Sequence, residues 1–476
     1  MNAVVSASVP RHRVLLLTII LASYSMLVID NSIIITGLPS IRHGLGFSAA
    51  ALSWVQNAYT LTFGGLLLLG ARAGDLMGRR RMLIVGLTIF SAASLAIGLA
   101  DSAVWLVGAR AVQGVGAAIL APSTLALLSI SFAEGPQRCR ALGWYGAVGG
   151  ITASVGRVVG GIVADLVSWR AGFFINVPIG ALLVWGARRH ITETPRRGGH
   201  FDVAGAVLST LGMALLVYGL VHAAEESWAH WGTAVPLLAG GLLLVLFLLN
   251  EKRAVQPILP LRLFANRQRA GAHAARVLFI GSSMGFFFYT TQYLQGVLDM
   301  RPLWAGIAFL PSMLANFAAA LAAPRLAQRF GNAWVLAGGL AVCVLGTAWL
   351  GQLGPDTPLL LGVGLPMLLI GVGMGASLSP LTIASMEGIA AEDAGSASGL
   401  VNAAHQLGGS LGLALLVAVY AAANVQTTDV RAELAHRVAA ALSAGALMLA
   451  AALAIVFVCV VRRPAEIGCG VNQSVS

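Results

Sequence analysis

The feature that most constrains this chain is a series of fourteen long apolar runs. Each is about 18–25 residues, the length at which a helix crosses a hydrocarbon core of about 30 Å. They lie near 14–38, 51–71, 82–101, 103–130, 141–166, 169–187, 202–222, 234–250, 271–295, 303–324, 334–352, 357–382, 396–422 and 438–461. With no water at that depth, each segment must satisfy its own backbone groups. The expectation is an all-α integral membrane bundle of 14 transmembrane helices. Composition agrees: 58% of residues are hydrophobic and 10% charged, against roughly a quarter charged in soluble proteins. The net charge of +11 is spread in short clusters between the apolar runs, so no nucleic-acid partner is expected. Cys139, Cys343, Cys459 and Cys469 form no CxxC pair and no metal-ligand spacing with histidine, so free thiols and no metal are expected. The N-terminal MNAVVSASVPRHR is basic, but the apolar run after it is too long for a signal-peptide core; it reads as a retained first helix.

Arginine placement orients the spans. With the N-terminus inside, the inner segments carry 21 Lys and Arg and the outer loops 5, namely Arg42, Arg170, Arg301, Arg431 and Arg437. That asymmetry predicts two cytoplasmic termini and an even number of spans. The sequence also repeats. ARAGDLMGRRRMLIVG (71–86) resembles PRLAQRFGNAWVLAGG (324–339): Arg72 matches Arg325, Gly78 matches Gly331 and Gly86 matches Gly339. Eight spans separate the two copies, which reads as six, plus two inserted, plus six. The expected organisation is a cytoplasmic N-tail 1–13, an N-terminal six-helix bundle 14–190, two inserted helices with flanking cytoplasmic loops 191–270, a C-terminal six-helix bundle 271–461 and a cytoplasmic C-tail 462–476. Repeated bundles around a central site are a transporter architecture.

Asp30 stands alone as a carboxylate in LLLTIILASYSMLVIDNSIIITGLPSI, residues 15–41. An ionised carboxylate at that depth costs about 2.5–3.5 kcal/mol on insertion scales, so it needs a partner. Asp30 in span 1, Arg110 in span 4 and Arg157 in span 5 lie within roughly 3 Å of one depth at 1.5 Å per residue. An Asp30/Arg110 pair is expected, with Arg157 nearby. Arg276, near the inner end of span 9, is expected to snorkel to the headgroups.

The motifs resemble the major facilitator superfamily, and within it the fourteen-helix drug:proton antiporter branch, of the actinobacterial multidrug or antibiotic efflux type. LVIDNSIIITGLPSI is similar to the branch's first-helix pattern, with Ser32 in place of Thr. GARAGDLMGRRR resembles its gating loop between helices 2 and 3, through Gly70, Asp75, Gly78, Arg79 and Arg80, with Ala71 where a Gly is usual. RAVQGVGAAILAP resembles the helix 4 motif through Arg110, Gln113, Gly114 and Pro122. GRVVGGIVAD resembles the helix 5 antiporter motif through Gly156, Gly160 and Gly161, with Arg157 where the family has Pro. AGSASGLVNAAHQLGGSLG resembles the helix 13 signature, with His405 where the family has Arg.

The resemblance implies proton-driven efflux of amphipathic drugs or antibiotics from the bacterial cytoplasmic membrane, by alternating access. It assigns proton coupling to Asp30 with Arg110, and a cytoplasmic latch to the Asp75–Arg79 turn. Two arginines beside one carboxylate would hold it ionised, so either Arg157 points elsewhere or another group carries the proton. His405 is the second candidate, because an unperturbed imidazole titrates near 6.5.

An amphipathic substrate needs an apolar cavity with a few polar groups. Candidates are Trp54, Asn57, Tyr59, Asn176, Phe287, Tyr289, Gln292, Tyr293, Met313, Asn316 and Asn402. The one lysine, Lys252, stands in NEKR, so no phosphate-binding P-loop is present. A proton gradient is the expected energy source, with no cofactor. One monovalent ion crossing 100 mV yields about 2.3 kcal/mol, enough for roughly a 50-fold gradient of a neutral solute. The alternative reading is an exporter of a self-made secondary metabolite. An enzyme is not expected, since no catalytic cluster is present, and functional monomers are.

Overall fold

The computed structural model describes residues 11–132, 136–196, 202–226, 228, 230–254, 257, 259, 261–389, 394–423, 425 and 427–461. The expected tails, apart from 11–13, and residues such as Arg197 and Cys469 lie outside these. Among the described residues the secondary structure is all helical, arranged as fourteen rods. The first five are α1 (Arg11–Leu45), α2 (Trp54–Met77), α3 (Arg79–Gly98), α4 (Ala103–Ser131) and α5 (Pro136–Leu166). The sixth is two consecutive pieces, α6 (Trp169–Phe174) and α7 (Asn176–His190). Then come α8 (Val203–Glu225), α9 (Trp231–Arg253) and α10 (Arg267–Gly296). The tenth rod is again split, into α11 (Pro302–Ala308) and α12 (Leu310–Phe330). α13 (Asn332–Leu350), α14 (Leu365–Met386), α15 (Ala394–Ala422) and α16 (Val430–Val456) complete the set. Eleven rods are long and apolar enough to cross a membrane by length and composition.

Local sequence explains the breaks. Pro311 and Pro178 sit in the first turns of α12 and α7, where a missing N–H costs no helical bond. Side-chain caps from Ser102, Asp202, Asn266 and Asp429 start α4, α8, α10 and α16. Gly78 ends α2 at φ 101° and Gly331 ends α12 at φ 84°. Both conformations are left-handed and favour glycine. These two glycines are one of the two glycine pairs matched by the sequence repeat.

Packing falls into layers. α1 lies on α5, α2 and α3 lie on α4, and α3 lies on α7. α10 lies on α15 and α16, and α13 and α12 lie on α14. The two groups meet where α2 touches α15, where α5 touches α11, and where α1 touches α10. α8 and α9 form a hairpin on the outside, with α8 against both α2 and α15. At the end where α1 finishes, here the far end, one apolar cluster joins both groups, with Ile34, Leu38, Val55, Phe286, Tyr293 and Phe309 among its members. Nearer the chain's N-terminus, here the tail end, two separate clusters form, one around Leu83, Leu87 and Leu120 and one around Ala275, Leu336 and Leu340.

Candidate functional site

Asp30 is 1% exposed and Arg110 is fully buried. Arg110 Nη1 donates to Asp30 Oδ2 at 2.8 Å, which is the pair expected from depth. The other carboxylate oxygen accepts from Gln113 Nε2 at 2.8 Å and from Asn176 Nδ2 at 2.7 Å. Arg110 Nε donates to the Val55 carbonyl at 2.9 Å, and its guanidinium stacks 4.3 Å from the Tyr59 ring centroid. Ser94 Oγ accepts from Gln113 at 2.8 Å and from Asn176 at 3.3 Å. Five side chains from α2, α3, α4 and α7 thus surround one carboxylate of α1. A buried ion pair is stable only when its remaining hydrogen-bonding capacity is met, and this shell meets most of it.

Helix packing holds the shell in place. Gly114 and Gly70 let α4 and α2 cross at backbone contact: a Cβ on Gly114 would lie 2.5 Å from the Tyr59 carbonyl oxygen, and one on Gly70 2.2 Å from that of Ala118. Arg110 and Gln113, both in the motif RAVQGVGAAILAP, are three residues apart and so share one face of α4. Asn176, expected in the substrate cavity, instead holds the carboxylate. Ser94 and Asn31, which accepts from Gln56 at 2.7 Å, are polar contributors that the sequence reading missed. Neutral polar residues in apolar runs carry no charge-balance signal, so only their contacts reveal them.

Arg157 leaves this site. Its guanidinium lies 4.0 Å from the Phe287 centroid on α10, and Nη1 is 3.7 Å from Met313 Sδ on α12. The reason is positional. Gly156 and Gly160 face α1, where a Cβ on Gly160 would lie 2.6 Å from Ile33 Cα. Gly161 faces the backbone of Pro302 and Leu303 in α11. Residue 157 therefore points along the seam between the two groups. Arg276 departs from expectation: it is 2% exposed and Nη2 donates to Thr382 Oγ1 on α14 at 2.6 Å, so it faces the bundle and not the headgroups. His405 lies half-buried on α15, within electrostatic reach of Arg276.

The remaining cavity candidates disperse. Tyr289 stacks on Tyr420 at 5.2 Å, Tyr293 Oη donates to the Gly354 carbonyl at 2.7 Å, and Trp54 packs on Tyr218 of α8. Asn57 and Gln292 are buried, Asn316 is half-buried and Asn402 is exposed. Phe287 and Met313 are brought together by Arg157.

At the tail end, Arg79 Nη2 reaches back to Asp75 Oδ1 at 2.5 Å across the Gly78 turn. A partner from outside the motif closes the turn. Glu193, after α7, accepts from the Arg80 and Arg81 backbone N–H groups at 3.0 Å, and Thr194 accepts from that of Arg79 at 2.9 Å. A carboxylate on the first N–H groups of α3 also faces the positive end of its dipole.

The description Major Facilitator Superfamily matches residues 20–413. The chain is 40% identical over 402 residues to a cephamycin export protein of Amycolatopsis lactamdurans, covering 83% of each chain. It is 38% identical over 459 residues to a puromycin resistance protein of Streptomyces alboniger, covering 93% of this chain and 90% of that one. Among solved structures it resembles a bacterial homolog of the human lysosomal transporter Spinster, with TM-score 0.70, 15% identity, and 95% and 97% of the two chains covered.

Proposed function

The chain belongs to the Major Facilitator Superfamily, a family of transporters and not of enzymes, and from that premise we propose that it is a drug:proton antiporter exporting amphipathic antibiotics. It is a multi-pass protein of the bacterial cytoplasmic membrane. Relatives named for cephamycin export, puromycin resistance, and tetracenomycin C resistance and export support the cargo class. Export of a self-made metabolite by the same mechanism is the alternative reading.

The observation that carries the proton reading is the Asp30 carboxylate, sealed at 1% exposure among donors from two other helices. Burial and an adjacent guanidinium pull a carboxylate's proton affinity in opposite senses. A rocking motion that moves α1 against α4 or α7 lengthens these bonds. The anion then loses its compensation and takes up a proton. When the shell re-forms, Arg110, Gln113 and Asn176 again favour the anion and the proton leaves. Arg110 stays neutralised in either state only if another acceptor or the substrate replaces Asp30, which ties the two events together.

The wider reading is fourteen spans, both termini cytoplasmic, and a six-plus-two-plus-six order in monomers that need no cofactor. The arginine asymmetry supports it, as do the paired left-handed turns at Gly78 and Gly331. In that orientation the far end is outside. A shared apolar cluster closes it.

The test uses inverted membrane vesicles with an inside-acid pH gradient reported by a quenched dye. Adding an exported antibiotic should dissipate the gradient with the native chain and not with Asp30→Asn. A full response in the variant would refute coupling through Asp30 and turn attention to His405.

A further inference from the structure

A cavity of about 480 Å³ lies under the external hairpin at the tail end. Its walls come from five helices and the segment before α10, including Gly65 of α2, Ser209 of α8, Phe247 of α9, Ala274 of α10, Ala403 of α15 and Phe264. That volume is within the range of about 300–1,000 Å³ typical of ligand sites. Its place separates it from the carboxylate site. α2 and α15 touch at Gly64 against Gln406 and at Leu68 against Gly399, and the cavity sits on the α8 side of that seam.

The lining is almost wholly apolar, with one exception of consequence. His273 lines the cavity, is 4% exposed, and its Nδ1 has no hydrogen-bond partner among the described residues. A buried imidazole nitrogen without a partner costs about 1–3 kcal/mol, so the site is incomplete as it stands. Ala274 in the wall is exposed, which leaves the cavity open to its surroundings. The segments bordering it carry exposed Arg262 and Arg267. Arg267 precedes His273 by six residues on α10, about 9 Å along the axis. That spacing exceeds the depth of one headgroup layer, about 5–7 Å, and sets His273 just below it.

We propose that this cavity holds an acyl chain of an anionic phospholipid, with the phosphate beside Arg262 and Arg267 and an ester carbonyl accepting a hydrogen bond from His273 Nδ1. The lipid supplies the three things the site offers to match: an apolar tail, an acceptor one layer deeper than the headgroup, and a negative charge at the surface. Its contacts reach α2 on one side of the seam and α10 and α15 on the other, with α8 as the lid. The assignment does not depend on what the protein exports.

The experiment is native mass spectrometry of the delipidated full-length protein in detergent, titrated with phosphatidylglycerol or phosphatidylcholine. The native chain should retain one phosphatidylglycerol in preference to phosphatidylcholine. Filling the cavity with Ala403→Phe should weaken that binding about tenfold or more. His273→Phe should weaken it about fivefold, the loss of one hydrogen bond. Arg262→Gln with Arg267→Gln should erase the headgroup preference and keep residual binding. Should Ala403→Phe fail to fold, Ser209→Phe fills the same space from the opposite wall. Equal retention of both lipids by the native chain, or unchanged retention by the filled variants, would overturn the assignment. So would displacement of bound lipid by an exported antibiotic with no effect of His273→Phe, since that marks the cavity as a drug site.

Discussion

At the scale of residues, the chemistry is concentrated in one carboxylate and the donors that surround it. Removing one partner from a buried ion pair costs about 3–5 kcal/mol, because the other charge is left behind. Asp30→Asn is therefore expected to lower the thermal unfolding temperature as well as abolish coupling. The double variant Asp30→Asn with Arg110→Gln removes both charges and should recover most of that lost stability. It should still move no protons on drug addition. Thermal unfolding of the purified proteins, read beside the vesicle assay, separates the two effects; recovery of proton movement in the double variant would exclude the carboxylate as the carrier. Asp30 and Arg110 were legible in the sequence, since charges in apolar runs must pair, and Gln113 was marked by the resemblance of the helix 4 motif. Ser94 and the true role of Asn176 were not, because neutral side chains disclose their partners only in three dimensions. The direction of Arg157 also had to come from packing: glycines on either side of it commit α5 to α1 and α11 and leave residue 157 facing the seam.

At the scale of elements, the boundary between α2 and α3 shows how a local motif depends on a distant segment. The Asp75–Arg79 pair spans a half-buried turn, and such i,i+4 pairs contribute only a few tenths of a kcal/mol. Glu193 adds two charge-assisted bonds to the N–H groups of α3 and favours its dipole, together about 1–2 kcal/mol. Gly78 is bound twice over, by its φ of 101° and by a Cβ position 2.5 Å from the Glu193 carboxylate. Gly78→Ala is thus expected to destabilise more than Glu193→Gln, and both should raise protease nicking between α2 and α3 in inside-out vesicles. An alanine as tolerant as the Gln variant would show that the turn relaxes without Glu193. The motif was readable from its charges. Its cap was not, since Glu193 and Thr194 lie more than a hundred residues along the chain.

At the scale of the whole molecule, alternating access requires the far end to open when the tail end closes. An all-helical membrane bundle was visible in the hydropathy, but which end is sealed is a property of packing between the two groups of helices. Here a forked ion pair crosses that interface. Arg301, at the start of α11, donates Nη2 to Asp165 Oδ2 at 3.0 Å and Nε to Oδ1 at 3.1 Å, at the far end of α5. Arg301 is 65% exposed, so the pair is worth at most about 1 kcal/mol and serves as a position marker more than a lock. Its length makes a covalent lock feasible. With the native cysteines replaced, Asp165→Cys and Arg301→Cys joined by a short cleavable bis-thiol reagent should hold the far end shut. Export should fall about tenfold or more while drug binding from the cytoplasmic face stays within about twofold, because an equilibrium held in one state loses turnover but not that state's affinity. Cleaving the linker should restore export. If the cross-linked protein still exports at the native rate, α5 and α11 do not part during the cycle, and the opening must run through the α2 and α15 seam instead.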